Sequence, residues 1–279
     1  MQRFIRYSGP AILVLLIVGL TSCLSAPAEA PSSSAGQSSA NSPSSVGTIV
    51  DLMAQTVPSG GSPTFLGVAQ RRRDRAEEEM AALEHVGDQV ARYLQISAHY
   101  RIDFDSSGRS TFVKENILTD WRPEEGHALI EGFEVLDTFQ DNDNTYVLAS
   151  VPGLPAPAGV SEVAAGYAGS GSDKPAWVNN PPAIPGYYVS VGITQRRRIA
   201  KDSIDFADED ALKGIIMTVL AEVDAGFWSR SVERQGETTG TSSSSVTGTG
   251  LLNGFYIVSR WISPDGQYYY SLAIAPVKQ

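Results

Sequence analysis

Gly67-Val68-Ala69-Gln70-Arg71-Arg72-Arg73 returns 125 residues later as Gly192-Ile193-Thr194-Gln195-Arg196-Arg197-Arg198. Each copy follows a short apolar run, residues 64–68 and 187–193, and each precedes a helical pattern. In the first pattern Met80, Leu83, Val86, Val90 and Leu94 recur at three- and four-residue steps. In the second, Ile204, Ala207, Ala211, Ile215, Val219 and Val223 do so. Spacing of this kind gives a helix one apolar stripe, which must lie against a partner surface. Gly87 costs about 1 kcal/mol relative to Ala inside a helix, so a bend or break is expected there.

The far ends of the two stretches also match. Gly132-Phe133-Glu134-Val135-Leu136 parallels Gly254-Phe255-Tyr256-Ile257-Val258, and Tyr146-Val147-Leu148-Ala149 parallels Tyr270-Ser271-Leu272-Ala273. Asp141 to Asn144 in one, and Pro264-Asp265-Gly266 in the other, supply turn residues between strand-like runs, which predicts two hairpins. Four matching segments in one order imply an internal duplication. The expected fold class is α+β: two repeated units, each a small, mainly antiparallel sheet packed against one long helix. The units span 64–153 and 174–279, with a linker at 154–173. In the variable middles, residues 100–104 and 110–118 suggest a strand and a short element. The Ser/Thr/Gly-rich residues 235–250 read as low-complexity and mobile.

Ahead of the first unit, Arg3 and Arg6 precede the apolar run AILVLLIVGL at residues 11–20. It is short for a spanning helix, which needs about 20 apolar residues, and fits the core of a secretory signal. It ends in Leu20-Thr21-Ser22-Cys23, which resembles the bacterial lipobox. That resemblance implies removal of residues 1–22 and acylation of Cys23. Acyl chains contribute about 0.8 kcal/mol per buried CH₂, so several chains anchor stably. Leu24, where an Asp would resemble an inner-membrane retention signal, directs the expectation to the outer membrane. Residues 23–63, rich in Ser, Ala, Pro and Gly, bury too little apolar area to offset chain entropy and read as a flexible tether. Cys23 is the sole cysteine of the 279 residues, which excludes an intrachain disulfide and a CxxC pair. The formal net charge of −10 argues against a nucleic-acid partner.

The second unit opens with Pro175-Ala176-Trp177-Val178-Asn179-Asn180-Pro181-Pro182 and then Gly186-Tyr187-Tyr188-Val189. This opening, the alanine-spaced helix and the Leu-Asn-Gly hairpin resemble the twenty-kilodalton bacterial outer-membrane lipoprotein family, Lpp-twenty-like, whose kind of domain also occurs in flagellar outer-membrane lipoproteins. The resemblance covers about 174–279 and reaches 64–153 through the duplication. It implies a lipid-anchored envelope protein with an α+β domain and carries no catalytic residues.

The candidate anion-binding residues are Arg71, Arg72, Arg73, Arg196, Arg197 and Arg198. They sit where a strand turns into a helix N-terminus, whose free N–H groups favour anions. The alternative is internal pairing at i, i+4, Arg73 with Glu77 and Arg198 with Asp202. Asp103-Phe104-Asp105-Ser106-Ser107-Gly108 faintly resembles a calcium loop, but Lys114 stands where the bidentate Glu belongs, so it reads as a turn. Among the histidines, His85 lies among helical charges and reads as surface or partly packed. The tryptophans and Tyr268 to Tyr270 read mainly as core. No P-loop, nucleophile elbow or dinucleotide fingerprint occurs. No cofactor, metal or catalytic residue is expected. The functional expectation is therefore a non-enzymatic, lipid-anchored cell-envelope module with envelope protein partners, in an outer-membrane or flagellar assembly. The alternatives are a binding module for an anionic envelope polymer and, more remotely, a hydrolase.

Overall fold

β1 (Thr64–Gln70) is buried at every residue but its last, although it lies at the edge of its sheet. Its apolar residues face both ways: Phe65 and Ala69 join one core, Leu66 and Val68 another. The computed structural model describes residues 61–107, 110–157, 160, 174–232 and 242–277. All belong to one unit, Pro43–Gln279. The expected signal segment, Cys23, the tether, most of the linker and residues 235–241 lie outside the described residues.

α1 (Arg75–Leu94) starts at the cap Asp74, whose carboxylate accepts from the Ala76 N–H at 3.0 Å. It packs so closely on β1 that a methyl group on Gly67 would sit 1.9 Å from the Ala82 carbonyl oxygen. α1 runs unbroken through Gly87, against expectation. α2 (Pro123–His127) crosses α1 closely at that point. A methyl on Gly126 would lie 1.9 Å from the Gly87 oxygen, and one on Gly87 would meet the His127 ring at 2.6 Å. Met80, placed on the apolar stripe by its spacing, is 52% exposed.

β2 (Ile96–Ser107) and β3 (Ser110–Asp120) form a long antiparallel hairpin. The turn expected at 103–107 is thus the end of β2. β4 (Glu134–Gln140) and β5 (Asn144–Ser150) form the predicted hairpin, and β5 pairs with β1 to give the order β1-β5-β4. In the second stretch come β6 (Tyr187–Gln195), α3 (Ala200–Val232), β7 (Ser242–Leu252), β8 (Tyr256–Ile262) and β9 (Tyr268–Pro276). They build the order β6-β9-β8. Both sheets carry a β-bulge at the matching place, between Val135 and Asp137 and between Ile257 and Ser259. Gly192 approaches α3 as Gly67 approaches α1, with a methyl there 2.0 Å from the Ala207 oxygen. Each hairpin turn is closed by an aspartate. Asp141 accepts from the Asp143 and Asn144 N–H groups, and Asp265 from the Gln267 N–H.

The third sheet, β3-β2-β7, differs from expectation. Residues 242–250, read as mobile, belong to β7, which pairs with β2 along the register Ile96↔Leu252 to Ser106↔Ser242. Small residues make this possible: Tyr100 lies over Gly248, where a methyl would come within 2.3 Å of its ring. This sheet takes strands from both halves. One core likewise mixes Phe65, Val86 and Tyr93 with Trp177, Tyr256, Trp261 and Leu272. Phe65, Tyr93 and Tyr256 meet edge to face at 5.7–6.0 Å. Burial pushes the Tyr93 phenol up to about 12, helped by the nearby Tyr256 and Tyr187.

Candidate functional site

The two Gln-Arg-Arg-Arg segments occupy matching positions, and their main chain is used in the same way. The N–H of the first arginine bonds a hairpin-loop carbonyl: Arg71 to Asp143 and Arg196 to Gln267, both at 2.7 Å. The N–H of the second bonds a side chain one turn into the helix: Arg72 to Glu78 Oε1 at 2.6 Å, and Arg197 to Ser203 Oγ at 2.8 Å. Each segment thus ties a hairpin to a helix start through backbone donors.

All six arginines are exposed, and their side chains do not share a matching partner. Glu78 is sealed from water and receives Arg75 Nη1 at 2.6 Å, with Arg71 Nε at 3.5 Å. The Thr145 hydroxyl donates to the same carboxylate at 2.7 Å. Burial alone would raise the Glu78 carboxyl. The Thr145 hydroxyl, the Arg72 N–H and the Arg75 guanidinium more than offset it and hold the group at about 2. Arg197 instead lies over the Phe206 ring at 4.4 Å. The expected i, i+4 pairs are not formed: among the described residues no ion pair joins Arg73 to Glu77 or Arg198 to Asp202. The α1 terminus also departs from the expected anion site, because Asp74 and Glu78 already take up N–H groups there.

A groove of about 380 Å³ runs beside the first segment and the start of α3. Arg71, Arg72 and Lys201 line it together with Glu84, Asp88 and Asp202, so positive and negative charges balance. Lys201 is held by Asp205 at 2.6 Å, and Asp88 by His127 at 3.0 Å.

His85 was missed by the sequence reading. Its ring is 1% exposed. Nδ1 accepts from the Val68 N–H at 3.0 Å, and Nε2 meets Asp205 Oδ1 at 2.8 Å. An acceptor Nδ1 puts the ring proton on Nε2, which donates to Asp205. Burial would raise the Asp205 carboxyl, but His85 and Lys201 hold it well below the usual carboxylate range. Both ring nitrogens are therefore engaged in joining β1, α1 and α3. A signal was available: His85 stands 18 residues after Gly67, as Asp210 stands 18 after Gly192. Asp210 makes the matching bond, accepting from the Ile193 N–H at 2.9 Å.

A second buried cluster was also invisible in the sequence. Arg260 on β8 meets Asp208 on α3 through Nε at 3.1 Å and Nη2 at 2.7 Å, and Nη2 reaches Gln89 on α1 at 2.9 Å. Ser271 donates to Asp208 at 2.5 Å, and Gln89 donates to the Leu66 carbonyl at 2.6 Å. Arg92, also buried, stacks over Trp121 at 4.1 Å. These groups bind the two halves into one frame. Among the described residues no cluster of His, Cys, Asp and Glu has a metal-binding arrangement. No helix there is long and apolar enough to cross a membrane. Cys23, the proposed lipid site, lies outside the described residues. Comparison with family models, curated proteins and solved structures finds no match.

Proposed function

We propose that this chain is a non-enzymatic, lipid-anchored protein of the cell envelope, held at the outer membrane through Cys23, whose body is a structural or interaction module. The observation that carries this is the placement of the sole cysteine directly after Leu20-Thr21-Ser22, at the end of the apolar run 11–20. The body is in keeping with a scaffold. Its most chemically able buried groups, His85, Asp208 and Arg260, are engaged with the half-buried Asp205, with one another and with the backbone across the two halves. The proposal stands on the leader and cysteine rather than on the Lpp-twenty-like resemblance, and assembly with flagellar or other envelope proteins is its furthest extension.

The test is fractionation with mass analysis. The full chain, expressed in a bacterium with two membranes, is expected in the outer-membrane fraction, its N-terminus an acylated Cys23. Cys23→Ala is expected to leave that fraction. A wild-type chain with an unmodified thiol, or a Cys23→Ala chain that fractionates unchanged, overturns the proposal.

One observation favours the polyanion reading as a second: all six arginines reach solvent, and two border the 380 Å³ groove. The acids in the same groove weigh against it. Arg72→Ala with Arg196→Ala should then weaken binding of an acidic glycan severalfold, and equal binding by both proteins removes that reading.

A further inference from the structure

The two halves give each other an internal reference for their outer strands. In β1 the main-chain groups that point away from β5 are capped by α1: His85 takes the Val68 N–H, and Gln89, one turn on, donates to the Leu66 carbonyl. β6 has the same register, Val191 opposite Leu272 as Leu66 is opposite Leu148. Asp210 caps the Ile193 N–H there as His85 caps Val68. The residue in the place of Gln89 is Gly214, which has no side chain to reach the Val191 carbonyl. Gly214 is pressed against Ser190, whose Oγ lies 2.1 Å from where a methyl would be. Instead, a cleft of about 510 Å³ opens beside β6, lined by Val191, by Asp210, Lys213 and Met217 of α3, and by Asn116 and Ile117 of β3. That volume is in the range of sites that hold a ligand.

We propose that this cleft binds an extended peptide segment of a partner protein, added along the edge of β6. A main-chain N–H of the peptide takes the place that Gln89 Nε2 holds in the other half and donates to the Val191 carbonyl. Strand addition of this kind draws affinity from main-chain bonds and selectivity from alternate side chains. Val191, Ile117 and Met217 offer apolar contact to one face of the peptide. Asp210 also lines the cleft, with its carboxylate taken up by the Ile193 N–H, whereas Lys213 is exposed with no ion pair among the described residues and selects an acidic side chain. This charge decides against a second copy seated through its own β6: Tyr187–Gln195 contains no acid to meet Lys213. The proposal deepens the interaction-module reading by naming the partner chemistry. Its test is independent of the anchor, because fractionation reports on Cys23 and peptide selection reports on the cleft.

The experiment presents the full chain, purified in detergent, to a displayed library of random nonapeptides. Enriched peptides are then measured by fluorescence anisotropy and by hydrogen exchange at residues 189–193. Enrichment of peptides with alternating apolar residues and an acid is expected, with protection of the Val191 region on binding. Ser190→Ala with Gly214→Gln copies the capped edge of β1 onto β6 and should weaken binding at least tenfold. Lys213→Glu, an exposed change that leaves the core alone, should weaken the same peptides at least fivefold and turn the selection toward basic ones. No enrichment, unchanged affinity in Lys213→Glu, or an edge already protected without peptide by a second copy or by the chain's own residues overturns the proposal.

Discussion

The first strand–helix junction and the second share a backbone but not a chemistry. Gly67 and Gly192 meet Ala82 and Ala207 with the same clearance. The arginine N–H groups find partners at the same places. Yet Glu78 faces Ser203 across this comparison, His85 faces Asp210, Gln89 faces Gly214, and Leu83 faces Asp208. The first half therefore keeps its edge strand closed by buried polar side chains. The second places a carboxylate, Asp208, inside the joint and has Gly214 where the first has Gln89. What recurs is the set of positions where backbone donors need acceptors or where chains pass closely. The side chains that meet those needs differ with what lies beyond them.

The largest expected effect is at the joint. Asp208→Ala leaves the buried Arg260 guanidinium without its carboxylate, and removing one member of a buried pair costs about 3–5 kcal/mol. Urea unfolding of the full chain measures this, and a loss under about 1 kcal/mol would mean that Arg260 finds another partner. Next are the glycines. Gly67→Ala and Gly192→Ala each force a methyl into a backbone carbonyl, with a cost of about 1–3 kcal/mol or more. Equal losses would support the equivalence of the two junctions, and a tolerant Gly192→Ala would break it. Then His85→Leu against Asp210→Leu sharpens the contrast in burial. The first orphans the Val68 N–H in the core, at about 1–3 kcal/mol, whereas the Ile193 N–H beside exposed Asp210 can turn to water and should cost under about 1 kcal/mol.

Much of the fold was legible because it rests on periodicity and turns. Both helices, both closing hairpins and the α+β class follow from apolar spacing and from Asp141, Asp265 and Gly266. The third sheet was not, because the rule that polar low-complexity sequence lacks a core assumes that large side chains are needed. In β7 the glycines are what allow Tyr100 to pack. The site was less legible still. The arginines attract attention by their charge, but their shared contacts are made by their N–H groups, which every non-proline residue has. His85, Gln89, Asp208 and Arg260 come from four separate places in the chain, and no local pattern marks them as neighbours. Only the 18-residue offset from each glycine pointed to His85 and Asp210 as a pair.

The smallest effect separates the two capping residues by pH. Glu78 and Ser203 do the same structural work, accepting an arginine N–H at the start of a helix, but only Glu78 titrates. Its carboxyl is held at about 2 when folded, against an ordinary value of 4.5. A depressed folded value means that the native state binds fewer protons than the unfolded chain in this window. The stabilisation is complete above about pH 4.5 and is lost as pH falls toward 2. Glu78→Gln should therefore differ most from wild type at neutral pH, with the gap narrowing between about pH 4.5 and 2. Asp205, depressed for its own reasons, still contributes to the acid limb in both proteins. Ser203→Ala should lower stability by about 1 kcal/mol, the usual value of one hydrogen bond, by the same amount at every pH. Thermal unfolding at pH 7, 4.5 and 2.5 measures all three proteins. A Glu78→Gln gap that stays constant with pH would show that Glu78 acts at this junction as Ser203 does, as a neutral acceptor.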